Sequence, residues 1–85
     1  MSQVQPEILI YLTQTCPFCN MARRLLDGKG LRYEVIDIGG DWELLEHKTG
    51  RKTVPQVYVG SHHVGGFDDL SAADASGQLD QYLTE

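Results

Sequence analysis

The chain has no long apolar run: the longest, Ile8 to Leu12, covers five residues, too few for a membrane span or the apolar segment of a signal peptide. The six residues before Glu7 contain no Lys or Arg, so the basic start of a secretory leader is missing as well. A cytoplasmic location is therefore the expectation. Basic residues are scarce: seven Lys and Arg stand against twelve Asp and Glu, for a net charge of -5. Nucleic acid and anionic membranes need clustered cations to replace counterions, so neither is expected as a partner. Lys48, Arg51 and Lys52 do fall within five positions, either as a locally positive edge or as a solvated loop. Cysteine is the rarest chemistry-bearing residue, with only Cys16 and Cys19. Their spacing could not staple distant parts of a secreted miniprotein. With three histidines, two of them adjacent at His62 and His63, and no second spaced pair, they also make a poor structural zinc set. In a reducing compartment such a pair points to chemistry.

No repeat or low-complexity tract interrupts the 85 residues, and 41% apolar with 22% charged residues is the balance of a folded soluble protein. That length supports one core, so residues 1–85 read as a single domain with a flexible lead at 1–6. The run from Glu7 to Thr13 reads as a strand covered on both faces. Pro17 to about Leu26 places Phe18, Ala22, Leu25 and Leu26 at helical spacing, with Pro17 in the first turn and Gly28 and Gly30 at the end. Leu31 to Asp37 alternates as a second strand, most simply parallel to the first across a helical crossover. Asp41 to Lys48 reads as a short helix with Trp42 and Leu45 on one apolar stripe. Val54 to Val59, Gly60 to His62, then His63-Val64 reads as an antiparallel hairpin. One or two helices follow from Phe67, with Leu70, Ala73, Leu79 and Leu83 as apolar positions.

Where the first strand meets the first helix, Cys16 stands at a helix amino terminus, whose unpaired N–H groups and positive dipole end favour a thiolate. Only a thiolate attacks a disulfide. Cys19, one turn into the same helix face, can approach Cys16 and close a bridge, which makes it the natural resolving thiol. Thr13, Gln14 and Thr15 lead into the site and suggest an exposed centre rather than two inert buried cysteines. Pro17 suits the turn, and Phe18 offers an apolar rim beside the sulfur.

Tyr11-x4-Cys16-Pro-Phe-Cys19, Thr53-Val-Pro55, Gly60-x-x-His63-Val-Gly-Gly66 and Asp68-Asp69-Leu70 together resemble the glutaredoxins, from Ile8 to the last helix. The resemblance implies an α/β thioredoxin fold: a four-stranded mixed sheet, order 3-1-2-4 in its simplest description, flanked by three to four helices in the order βαβαββα. It implies a glutathione-dependent thiol-disulfide oxidoreductase, a monomer with glutathione as co-substrate and no tightly bound cofactor or metal. Its partners would be disulfide-bonded or glutathionylated proteins, of which ribonucleotide reductase is one the family would allow. Cys16 would be the nucleophile and Cys19 the resolver. Phe18 would border glutathione, with Thr53, Val54 and a cis Pro55 beside it, the Val54 backbone pairing with the cysteinyl unit like an added strand. Gly66 and Phe67 would present N–H groups to the γ-glutamyl carboxylate, with Asp68 or Asp69 at its ammonium group. By themselves those two Asp residues read as helix caps.

Two positions depart from the family. Thr13 stands where many members have Lys, which removes a cation, and Phe18 replaces the commoner Tyr. The cation for the glycyl carboxylate is then sought at Arg51, Lys52 and Lys48, in that order. Two other roles compete: a thioredoxin-like electron donor reduced by a flavoenzyme, and an iron-sulfur carrier in which two chains each donate Cys16 with bound glutathione. Pro17 beside the thiol argues against the latter.

Overall fold

A computed structural model describes residues 6–84. Of the lead expected at residues 1–6, residues 1–5 lie outside the described residues, while Pro6 is half-buried and the Glu7 carbonyl accepts a hydrogen bond from the Gly60 N–H at 2.7 Å. Strand β1 (Ile8–Leu12) is followed by helix α1 (Pro17–Gly28), β2 (Glu34–Asp37), α2 (Trp42–Thr49), β3 (Gln56–Val59), β4 (His62–Gly65), α3 (Phe67–Ser76) and α4 (Gln78–Thr84). β1 is central, parallel to β2 and antiparallel to β3, which pairs in turn with β4.

The sheet order is therefore β2-β1-β3-β4, not the 3-1-2-4 expected from the sequence. Only Gly60 and Ser61 separate β3 from β4, and a two-residue turn holds consecutive strands side by side, so β4 cannot reach β2. Gly60 takes the positive φ of +59° that this tight reversal requires.

Side-chain alternation along β1 sends Ile8, Ile10 and Leu12 to one face, where they pack with Ala22 and Leu26 of α1, Val57 and Val59 of β3, Leu70 of α3 and Leu79 of α4. Tyr11 points to the other face, against Ile38 and Leu45. Burial on both sides explains the unbroken apolar run of β1. β2 is different. It begins three residues later than Leu31, and as an edge strand it leaves Val35 exposed. The stripe expected on α2 is also reduced to one residue: Leu45 is fully buried, but Trp42 is 44% exposed, because a two-turn helix on that smaller cluster seats a single side chain.

Local signals fix the ends of the helices. Asp41 accepts from the Leu44 N–H at 3.1 Å at the start of α2, and Gly50, with φ of +76°, ends it. Gly77 separates α3 from α4 in the same left-handed conformation. Lys29, just past α1, reaches Asp74 at 2.7 Å and Asp80 at 3.5 Å, joining that end of α1 to the two last helices. Among the described residues no helix is long and apolar enough to cross a membrane.

Candidate active site

β1 ends at Leu12 and α1 starts at Pro17, so the intervening turn delivers Cys16 to the helix start as its N-cap, in an extended conformation. Its sulfur accepts a hydrogen bond from the Cys19 N–H at 3.1 Å, using one of the donors that a helix start leaves unpaired. Pro17 at the first helical position has no N–H to leave unpaired. Across the site, the Cys16 thiol lies 3.7 Å from the Val54 carbonyl oxygen, to which it donates. Both cysteines are free thiols, but they are not alike: Cys16 is half-buried, whereas Cys19 is 1% exposed and packed in the core.

Burial is the main reason that the Cys19 pKa is pushed up to about 12, and a hydrogen bond to the Cys16 side chain adds to it, while a backbone hydrogen bond from Thr13 acts in the opposite sense. The native protein should accordingly take a single iodoacetamide label, on Cys16, throughout pH 6–9, and a second on Cys19 only after denaturation; peptide mapping by mass spectrometry reads the difference, and equal labelling of both thiols in the native state would contradict it.

Beside Cys16 opens a cleft of about 210 Å³, built from segments far apart in the sequence. Phe18, 55% exposed, forms one rim, and its ring lies 6.4 Å from that of Phe67, at the start of α3. Thr53, Val54 and Pro55, with a cis peptide bond between the last two, form a second wall. Gly66, Phe67, Asp68 and Asp69 complete it from the amino-terminal turn of α3. Of the three basic candidates only Arg51 lines the cleft, with its Nη1 atom 3.7 Å from Asp69 Oδ2. Lys52 faces Glu46 at 3.8 Å, and the Lys48 carbonyl accepts from the Tyr58 hydroxyl.

The two cysteines stand beside this cleft rather than in its lining, and two further expected positions lie outside it. Pro17 shapes the helix start, and Thr13 lies in a separate depression with Gln14, Asn20 and Arg23. The two acidic residues, both exposed, separate in role: Asp69 accepts from the Gly66 N–H at 3.2 Å, capping α3, and faces Arg51, while Asp68 lines the cleft beside it. The cap occupies the Gly66 donor that the sequence had offered to a ligand carboxylate. Sequence reasoning missed Gln56, which lines the cleft and is 1% exposed. Its signal was a lone amide in the otherwise apolar run Val54 to Val59.

Comparison with known proteins agrees with this geometry. The Glutaredoxin family model matches residues 8–64. A glutaredoxin of Pseudomonas aeruginosa is 44% identical over 82 residues, which cover 93% of this chain and 98% of the relative. Glutaredoxin 3 of Escherichia coli K12 is 43% identical over 77 residues, 87% of this chain and 93% of that protein. Among solved structures, a glutaredoxin of Brucella melitensis superposes with a TM-score of 0.81 at 37% identity, covering 94% of this chain and 90% of the other. A buckwheat glutaredoxin-glutathione complex superposes at 0.82 with 30% identity, covering 94% and 77%.

Proposed function

The chain belongs to the glutaredoxin family and is a thiol-disulfide oxidoreductase, and from that premise we propose that glutathione is both the group it removes from mixed disulfides and its reductant. The observation that carries this reading is the cleft beside Cys16, whose charges suit a zwitterionic tripeptide. Arg51 offers a cation for the glycyl carboxylate, the start of α3 offers the Phe67 N–H and a positive dipole end for the γ-glutamyl carboxylate, and exposed Asp68 offers an anion for the ammonium group. Between them the Val54 backbone lies beside the Cys16 sulfur, where an extended cysteinyl unit would pair with it. The glutathione complex of the buckwheat protein supports the same reading.

In the proposed cycle the Cys16 thiolate attacks the glutathione sulfur of a mixed disulfide. The S–S bond breaks, the protein thiolate leaves and takes up a proton, and Cys16 holds glutathione as a new disulfide. A second glutathione thiolate attacks that glutathione sulfur, releasing oxidised glutathione and the Cys16 thiolate. On a protein disulfide, the Cys16 thiolate attacks one sulfur; the protein S–S bond breaks, the other sulfur leaves as a thiolate that takes up a proton, and Cys16 is joined to the protein. Cys19 then loses its proton and attacks Cys16, which expels the reduced protein and leaves a Cys16–Cys19 disulfide for two glutathiones to reduce.

The test is reduction of a glutathionylated peptide by glutathione, with oxidised glutathione recycled by glutathione reductase. Turnover that saturates with the peptide is the expected result. Turnover supported by thioredoxin reductase, with none from glutathione, would replace this reading with that of a thioredoxin-like donor.

A further inference from the structure

Gln56 is the first residue of β3 and carries the only buried polar side chain among the described residues, yet no step of the chemistry uses it. Alternation along β3 sets it on the Tyr58 side of the sheet, away from Val57 and Val59. Its amide reaches back to the loop before it: Nε2 donates to the Thr53 carbonyl at 3.0 Å and to the Thr53 hydroxyl at 3.0 Å. Its Oε1 lies 2.8 Å from His63 Nε2, on the neighbouring strand β4. An amide with both donors directed at Thr53 presents only an acceptor to His63, so His63 must carry its proton on Nε2. The His63 ring is held in turn, stacked on Tyr58 with centroids 4.4 Å apart and planes 6° apart. A chain of contacts thus runs from the sheet through His63 and Gln56 to Thr53, next to the Val54 carbonyl that faces Cys16.

We propose that Gln56 is a positioning residue for glutathione: oriented by His63, its buried amide fixes Thr53 and so sets the Val54 backbone against which the cysteinyl unit pairs. The proposal rests on the glutathione reading above. A free Thr53-to-Pro55 segment would have to be ordered each time substrate bound, and the amide removes that cost in advance. The effect belongs to substrate binding, because Gln56 touches neither sulfur.

Gln56→Met keeps the length of the side chain and removes both donors and the acceptor. It should raise KM for the glutathionylated peptide about tenfold, the scale of one to two lost hydrogen bonds, with kcat and the rate of Cys16 alkylation within twofold of wild type. His63→Phe keeps the stack on Tyr58 but frees the amide to turn, and should raise KM in the same direction by less. Thr53→Val should raise KM in the wild-type background and have no further effect when combined with Gln56→Met. A KM within twofold of wild type in both Gln56→Met and His63→Phe, with only the melting temperature lowered, would overturn the proposal. Should Gln56→Met fail to fold, His63→Phe and Thr53→Val decide it by the same KM criterion. Absence of glutathione-dependent turnover in the wild type would instead overturn the reading on which it rests.

Discussion

Cys16→Ser should reduce turnover of every disulfide substrate to background, while Cys19→Ser should keep glutathione-dependent turnover of a glutathionylated peptide within a few-fold of wild type and lose reduction of protein disulfides. The asymmetry follows from where the two sulfurs sit. Cys16 is at the cleft, capping α1 and facing the Val54 carbonyl, and a serine hydroxyl in its place forms no thiolate to attack a disulfide. Cys19 is in the core and its pKa is pushed up to about 12, so it is a poor first nucleophile. It is well placed to act second. Once Cys16 is bound in a mixed disulfide its sulfur is the electrophile one helical turn away; burial, the main cause of the raised Cys19 pKa, remains, but the smaller contribution of Cys16 is relieved. Serine at 19 closely matches the cysteine it replaces in size, so the fold should survive. Loss of both activities in Cys19→Ser, in a protein that melts as wild type does, would contradict the assigned roles.

A comparably large effect on stability is expected at Gly65. Its φ of +118° lies where L side chains rarely sit, and an added Cβ would stand 2.9 Å from Asp69 Cγ and 3.0 Å from Asp69 Cβ, with Oδ2 nearer still. Gly65→Ala thus combines backbone strain with displacement of the carboxylate that caps α3, for a loss of about 3 kcal/mol. In a domain of this size that lowers the melting temperature by roughly 12–24 °C. The neighbouring glycine is an internal control: Gly66 has φ of -81°, and its added Cβ would meet only the Pro55 carbonyl oxygen, at an ordinary 3.5 Å. Gly66→Ala should change stability by no more than about 0.5 kcal/mol. Thermal unfolding of the two variants checks the contrast, and equal melting temperatures would show that the Gly65–Asp69 contact does not govern this corner.

Much of the molecule was legible in the sequence because its signals are local. Pro17 in the first turn of α1 and Gly28 at its end, the acidic Asp41 opening α2, and the apolar run of β1 each act within a few residues. Cys16 and Cys19 were legible for the same reason, since a pair three positions apart at a helix start forms one site whatever the rest of the chain does. Arg51, Thr53 to Pro55 and Gly66 to Asp69 came instead from the glutaredoxin resemblance, and the cleft brings them together. The exposure of Trp42 was not legible, because helical periodicity places residues on a face without saying how much of that face another layer covers.

By itself, then, the sequence determined the elements, their caps and the dithiol, all products of short-range sterics and hydrogen bonding. Tertiary structure alone decided the rest. The long-range pairing of β1 with both β2 and β3 set the sheet order, core packing made Cys19 a buried thiol unlike Cys16, and the pairing of β3 with β4 brought His63 to Gln56. It also gave one of the two adjacent acids, Asp69, the cap of α3 and a place opposite Arg51. Each of these depends on which distant residues end up within a few ångströms, and burial, charge and hydrogen bonding act through that distance rather than through separation along the chain.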